Sequence, residues 1–170
     1  MKKLARLTAL LLTGALLLVL TACGAETEQQ AKQRLLKEIN SYRESIQLEP
    51  LEEVEKLSEA EQELTAPFRA AGKTVLSESE MVDAFDSWHS KTDEDWSYCD
   101  DFGLDWTFVD GEYIHILSAM VPANTPKGKA ELLAALKVRP AFNRSDCTSI
   151  GIGVVTIDGQ MYWSCSMFSD

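Results

Sequence analysis

The segment 148–168 constrains the fold of this chain more than any other stretch. Two runs of β-branched and aromatic residues flank the pair Asp158-Gly159. Asp-Gly tolerates the positive φ angles of a type I′ turn, so the segment predicts a β-hairpin. Gly151 and Gly153 alternate with isoleucine and valine in the first run. A strand face without side chains predicts close approach of another backbone, and we expect a central hairpin with helices on both sides.

Amphipathic helices are predicted before this hairpin. Apolar residues at helical spacing indicate one helix over about 31–46 and a second over 51–64, with Pro67 expected to kink or end the second. The pattern Ser77-x-x-Glu80 is typical of a capping box and predicts the start of a third helix.

The middle of the chain predicts shorter elements. Residues 89–95 are polar and indicate a loop, whereas 96–102 indicate a short helix or turn. A second Asp-Gly pair at 110–111 predicts another strand pair. Thr125-Pro126 has the pattern of an N-cap followed by the first residue of a last helix. Helices before and between short antiparallel strands predict the α+β class, with one sheet between helical layers.

The N-terminus has the pattern of a bacterial lipoprotein signal. Residues 1–22 combine a basic start with an apolar core, and Leu20-Thr21-Ala22-Cys23 follows. A membrane helix needs roughly 20 apolar residues, which this core does not reach, and an ordinary signal peptide is the other alternative. We expect acyl chains such as palmitate on Cys23 to anchor the protein at the extracytoplasmic face of the cell membrane. Residues 23–30 are predicted to be a tether and 31–170 a single domain.

The charge of the chain excludes some classes of partner. The leader holds three of the 16 Lys and Arg, so the other 148 residues carry 13 against 27 Asp and Glu, a net charge of −14. Nucleic acid and anionic headgroups would repel such a chain. Solubility of an exported protein accounts for this excess of acid without a specific cationic partner.

Three cysteines follow Cys23. They are Cys99, Cys147 and Cys165, and their spacing matches no Cys-x-x-Cys metal or redox pattern. Export permits a disulfide, but three single pairings are open and the sequence does not choose among them. We expect buried thiols with at most one bond.

Five short motifs follow one another between residue 35 and the C-terminus. They are Ile39-Asn40-x-Tyr42-Arg43, Leu57-x-x-Ala60-x-Gln62, His89-Ser90-Lys91-Thr92-Asp93, Gly111-Glu112-Tyr113-Ile114 and Thr148-x-Ile150-Gly151-Ile152-Gly153. In this order they resemble the CAP superfamily of cysteine-rich secretory, antigen 5 and pathogenesis-related 1 proteins, in its bacterial SCP-like branch. The resemblance implies an α-β-α sandwich with a mainly antiparallel sheet.

The same resemblance implies a cleft lined by two histidines and acidic residues, which in some members binds a divalent metal. Carried over, the first histidine falls on His89 and the glutamate on Glu112. The family's His-Arg pair falls on Val138-Arg139 when counted back from Thr148, and its histidine falls on Arg139 when counted forward from Thr125-Pro126, so the second histidine is missing. We expect ligand contacts from His89, Glu112 and Arg139, with Arg139 paired to Glu112. No metal and no cofactor are expected.

Three functions compete at this point. The first is a non-enzymatic, lipid-anchored binding domain for a small ligand, a wall component or a partner protein. The second is a divergent, hydrolase-like enzyme that uses His89 and Glu112 as an acid/base pair. The third is an unrelated lipoprotein of structural role. The other histidine, His115, is expected to point away from Glu112 on its strand and to make a structural hydrogen bond.

Overall fold

The computed structural model describes residues 26–92 and 96–169. The predicted leader and Cys23 lie outside these residues. The described helices are α1 (Glu28–Ser45), α2 (Glu55–Ala71), α3 (Glu78–Thr92) and α4 (Pro126–Val138), and a 3₁₀ helix spans Pro140–Asn143. The described strands are β1 (Glu52–Glu53), β2 (Val75–Ser77), β3 (Ser97–Phe102), β4 (Leu104–Val109), β5 (Glu112–Leu117), β6 (Ser149–Ile157) and β7 (Gln160–Ser169). None of the described helices is both long and apolar enough to span a bilayer.

The strands form two sheets rather than the one sheet expected. The larger sheet has the order β1-β6-β7-β3, in which only the short β1 runs parallel to its neighbour. The smaller sheet has the order β2-β5-β4 and is antiparallel. The predicted α+β class, with a mainly antiparallel sheet between helical layers, is confirmed.

The predicted central hairpin is also confirmed. β6 and β7 pair along their whole length, and Asp158-Gly159 turns the chain with φ angles of 49° and 78°. Ile150 and Ile152 face a core built with α1 and α4. Val155, on the opposite face of β6, packs in a second core with α2 and α3. Helices therefore cover both faces of the hairpin.

Helix α2 rests on the bare glycine face of β6, as the sequence predicts. A Cβ atom added to Gly153 would lie 2.5 Å from the carbonyl oxygen of Glu61, and one added to Gly151 would collide with the carbonyl of Leu57. Any side chain at these positions would push the helix backbone away from the sheet. The two glycines thus set the distance between α2 and the sheet.

Side chains of α2 replace a missing strand along one edge of β6. β1 pairs only with Ser149 and Ile150, which leaves the rest of this edge without a strand partner. The Gln62 side chain accepts from the Val154 N–H at 3.2 Å and donates to the Val154 carbonyl at 2.9 Å. Ser58 Oγ accepts from the Ile152 N–H at 3.2 Å. These bonds satisfy backbone groups that would otherwise be buried without partners.

Three helix boundaries differ from the prediction. α2 begins at Glu55 and not at residue 51, because Glu52 and Glu53 pair with β6 as strand β1. α1 begins at Glu28 within the expected tether, because Thr27 and Gln30 form a reciprocal capping box. α2 continues through Pro67 to Ala71 and ends at Gly72, whose φ is 63°. The buried Phe68, which is fully inaccessible, anchors the turn that follows the proline. Tertiary packing therefore outweighs the unfavourable proline.

Two further segments correct the prediction. Residues 89–92, expected as the start of a loop, complete α3, and Thr92 Oγ1 donates to the Trp88 carbonyl at 2.9 Å. Residues 97–102, expected as a short helix or turn, form β3 at the edge of the larger sheet. The hairpin at 110–111 and the Thr125 N-cap of α4 are confirmed.

The cysteines of the described residues are free thiols. Burial is the largest effect on the Cys147 thiol, and the neighbouring Cys99 side chain also raises its pKa, which places the two thiols next to each other. Both pack in the core on the α1 side of the larger sheet, as does the fully buried Cys165. The contact distinguishes the pair Cys99 and Cys147 from the two other pairings.

Candidate functional site

A cavity of about 470 Å³ lies between α2, α3, β3 and β7. Its volume is in the range of small-ligand sites. We call it the acidic pocket and define it by its lining residues, which are Glu61, Leu64, Phe85, Trp88, His89, Thr92, Trp96, Tyr98, Asp101, Phe102, Leu104, Ser164, Cys165, Ser166 and Phe168. The lining combines several aromatic rings with two carboxyl groups and includes no lysine or arginine.

Glu61 is the buried carboxyl group of the pocket. Its side chain projects from α2 toward β7 and is 1% exposed. Oε1 accepts from the Trp88 indole N–H at 2.9 Å and from the Ser166 hydroxyl, while Oε2 accepts from the Ser164 hydroxyl at 2.9 Å. Ser164 and Ser166 alternate along β7, so both hydroxyls lie on the face covered by α2. Three donors therefore fix the orientation of this carboxyl group.

The surroundings of Glu61 favour its neutral form. Burial is the largest effect and raises the pKa of Glu61, and the negative charge of Asp101 raises it further. The hydrogen bonds from Ser166, Trp88 and Ser164 act in the opposite direction and lower the pKa. Burial outweighs the three donors, and the pKa of the Glu61 carboxyl lies above its usual value.

Asp101 is the second carboxyl group of the pocket and the accessible one. It is an exposed residue of β3, directly opposite Ser166 in the strand pairing. Loss of hydration within the pocket is the largest effect and raises the pKa of Asp101, although part of the side chain is exposed. A hydrogen bond with the Tyr98 side chain acts in the opposite direction and lowers the pKa. Asp101 thus places an acidic group where a ligand entering the pocket would meet it.

His89, one of the residues expected from the sequence, does line this pocket. It lies on α3, with its ring edge-on to the Trp88 ring at 5.1 Å between centroids. Contact between His89 and a ligand stays a prediction, and the position of His89 in the lining places it next to any molecule in the pocket.

Glu112 does not lie with His89. It is exposed at the start of β5, and its Oε1 lies 3.5 Å from the hydroxyl of Ser79, in the first turn of α3. His89 follows ten residues later, which is about 15 Å along the helix axis. Because α3 continues through the expected loop, Glu112 lies beside the first turn of this helix, whereas His89 lies in its last turn. The structure therefore does not form the predicted acid/base pair.

Arg139 also differs from its predicted pairing. Its guanidinium lies over the Phe102 ring, 5.3 Å from the centroid, at the end of α4. Its positive charge lowers the pKa of Asp101. Arg139 is therefore a neighbour of the acidic pocket through Asp101 and not a partner of Glu112.

His115 forms a side-chain hydrogen bond whose partner the sequence did not reveal. Its Nε2 lies 2.6 Å from Oε2 of Glu78, and its ring packs against Phe85 at 4.7 Å between centroids. The expected hydrogen bond is present, but the partner is a side chain of α3. The contact ties β5 to the start of α3. Within residues 26–92 and 96–169 no group of three or more His, Cys, Asp or Glu side chains is placed to hold a metal ion.

The sequence reasoning missed Glu61 and Asp101. A signal for Glu61 was present, because it lies four residues after Leu57 and three before Leu64, on the apolar face of the predicted helix. A charged residue at such a position is buried and needs partners. No comparable signal marks Asp101, since it depends on the unpredicted strand β3.

Comparison of the chain with protein-family models, curated proteins and solved structures finds no match. Inference about function therefore rests on the geometry of the acidic pocket and on the sequence motifs.

Proposed function

We propose that this protein is a divergent, lipid-anchored CAP-like domain that binds a small ligand in the acidic pocket without converting it. The proposal places it at the extracytoplasmic face of the cell membrane, attached through Cys23. The observation that carries the binding function is the cavity itself, in which aromatic rings surround a carboxyl group fixed by three hydrogen bonds. The five sequence motifs, in their order along the chain, are the support for the family assignment.

Binding is favoured over catalysis by the burial of Glu61 and by the separation of His89 from Glu112. Both oxygens of Glu61 already accept hydrogen bonds, and the residue is 1% exposed, so it is poorly placed to exchange a proton with a ligand. The hydrolytic alternative requires His89 beside Glu112, but His89 lies in the last turn of α3 and Glu112 contacts the first turn from β5. Fixed polar groups in an aromatic cavity are the usual means by which a protein orients a small ligand.

The binding function is tested with a fragment library of cationic, neutral and anionic compounds, screened by ligand-observed NMR and by thermal shift. We expect hits whose binding is lost in Trp96→Ala, because Trp96 lines the pocket. Trp106→Ala is the matched control, since Trp106 lies on β4 outside the pocket and is 65% exposed. Absence of any hit, or hits equally sensitive to both variants, would contradict binding in this pocket.

Membrane attachment is tested separately by partition of the full chain between detergent and aqueous phases. The wild-type protein should enter the detergent phase, and Cys23→Ser should stay in the aqueous phase or remain unprocessed. Wild-type protein found in the aqueous phase would refute the lipid anchor without affecting the pocket.

A further inference from the structure

The electric field in the acidic pocket has one dominant sign. Asp101 acts on Glu61, and Asp100 and Asp101 act on the side chains of Tyr98 and Cys165. Both aspartates disfavour further negative charge in their neighbourhood, and Glu61 does so when it is ionised. Arg139 acts on Asp101 from outside the lining, and the Lys56 ammonium lies over the ring of the lining residue Trp96. An anion entering the pocket would be repelled, and a cation would be attracted.

The walls of the pocket add a second attraction for a cation. The rings of Trp88, Tyr98 and Phe168 form one cluster with centroids 5.9–6.1 Å apart, and Tyr98 packs edge-on to the two others. The face of an aromatic ring carries negative charge density and binds ammonium groups, most strongly in tryptophan. Trp96 already does so within the chain, because the Lys56 ammonium lies 5.3 Å from its centroid.

The floor of the pocket is an acid whose hydrogen-bond partners are all neutral. Trp88, Ser164 and Ser166 satisfy the oxygens of Glu61 but bring no positive charge. Buried carboxylates in proteins are normally paired with a cation or neutralised by a proton. A cationic ligand in the cavity would favour the ionised form of Glu61, which burial disfavours in the empty pocket, and would meet Asp101 at the wall.

We propose that the acidic pocket selects a small organic cation, an ammonium compound with a compact apolar body. The ammonium group lies between Asp101 and the aromatic cluster, and the apolar part lies along Leu64 and Phe85. This inference rests on the proposed binding function and names the ligand class for the same site. Diffuse charge suits the pocket better than a metal ion does, because aromatic rings attract ammonium groups and offer no lone pair for a metal.

The experiment compares choline with 3,3-dimethyl-1-butanol, which has nearly the same shape and no charge. Both are titrated into the full chain in detergent, with calorimetry and tryptophan fluorescence as readouts. We expect choline to bind about tenfold more tightly than the neutral compound, which is about 1.4 kcal/mol. This comparison uses the unaltered protein and does not depend on how any variant folds.

Asp101→Asn then tests the role of the wall carboxylate. We expect it to weaken choline binding about tenfold and to leave the neutral compound unchanged, as loss of one charge contact predicts. Asp110→Asn is the matched control, because Asp110 lies in the β4–β5 turn with a φ of 51°, which asparagine tolerates. It should change neither affinity.

The outcomes separate this inference from the proposed function. If both compounds bind equally, or only neutral or anionic fragments bind with sensitivity to Trp96→Ala, the ligand class is wrong and the pocket still binds. If no compound of any charge binds, both the ligand class and the binding function fail. Choline binding that Asp101→Asn leaves unchanged would place the cation elsewhere and overturn the inference.

Discussion

Substitution of Gly153 tests the contact that holds α2 on the sheet. A Cβ atom at this position would lie 2.5 Å from the Glu61 carbonyl oxygen and 2.8 Å from its carbonyl carbon. Ordinary van der Waals contact begins at 3.4 Å, so the oxygen would have to retreat by 3.4 less 2.5 Å, or 0.9 Å. Both obstructing atoms belong to the helix backbone and cannot rotate away. The whole of α2 would have to move.

The expected loss of stability follows from this displacement. Overpacking of a core typically costs roughly 1–3 kcal/mol. Replacing glycine also restricts the unfolded chain, which returns about 0.4–1 kcal/mol. The difference between these two ranges is at most about 2.6 kcal/mol, so we expect Gly153→Ala to lower the free energy of unfolding by about 1 kcal/mol and Gly153→Val by about 2–2.5 kcal/mol. For a domain of this size the valine variant should lose roughly 6–10 °C in Tm.

Urea denaturation followed by circular dichroism, together with calorimetry, measures both quantities. Thr156→Val is the matched control, because Thr156 lies on the same strand with its side chain on the opposite face, and it should stay within about 0.5 kcal/mol of wild type. An unfolding midpoint for Gly153→Val equal to that of wild type would show that α2 does not rest on this glycine. The close approach of helix and sheet would then be wrong.

Three other perturbations have a defined direction. Gln62→Glu should destabilise the protein by about 1–3 kcal/mol at neutral pH, because a carboxylate cannot donate to the Val154 carbonyl. Acid should restore part of this loss, since a protonated carboxyl group can donate again. Urea unfolding midpoints at neutral and acidic pH measure the effect, and equal losses at both pH values would contradict it. Burial, the largest effect, raises the pKa of Glu61 in the folded state above the unfolded value of about 4.3, so the free energy of unfolding should fall as pH rises between the two values. Glu61→Gln should flatten that fall, and an unchanged slope would refute the assignment. Glutathione disulfide should oxidise Cys99 and Cys147 to a disulfide, and the reagent is reduced to two glutathione molecules as it takes up the protons and electrons of the two thiols. The reaction should be slow, because burial raises the pKa of Cys147 to about 12. Peptide mapping that finds a bond to Cys165 would contradict this pairing.

The central hairpin could be predicted because its signals are local. Asp158-Gly159 determines the turn, and the bare positions at Gly151 and Gly153 indicate a close neighbour without naming it. The neighbour turned out to be α2. Its helical period was visible, although its continuation through Pro67 was not. Continuation past a proline depends on packing against distant residues, which local propensity does not include.

Strand β3 could not be predicted for a different reason. Asp100 and Asp101 are unfavourable in strands, and the segment contains no turn signal of the Asp-Gly kind. It becomes a strand because Tyr98 pairs with Phe168, seventy residues later in the chain. Half of the acidic pocket depends on this long-range pairing. A sequence motif could therefore predict His89 as a site residue, whereas no local pattern could predict Asp101 as one.

Helix α2 connects the stability of the fold to the geometry of the site. Ala60 packs in the core, and Gln62 replaces a strand partner of β6. Glu61 lies between them: its backbone rests on Gly153, and its side chain forms the pocket floor. A displacement of 0.9 Å at the Glu61 carbonyl exceeds the tolerance of about 0.5 Å within which a binding group has to be held. Gly153→Ala should therefore weaken choline binding even at temperatures where the variant is fully folded, whereas Thr156→Val should not. Normal affinity in a folded but destabilised Gly153→Ala protein would show that the pocket floor is positioned by β7 and α3 alone.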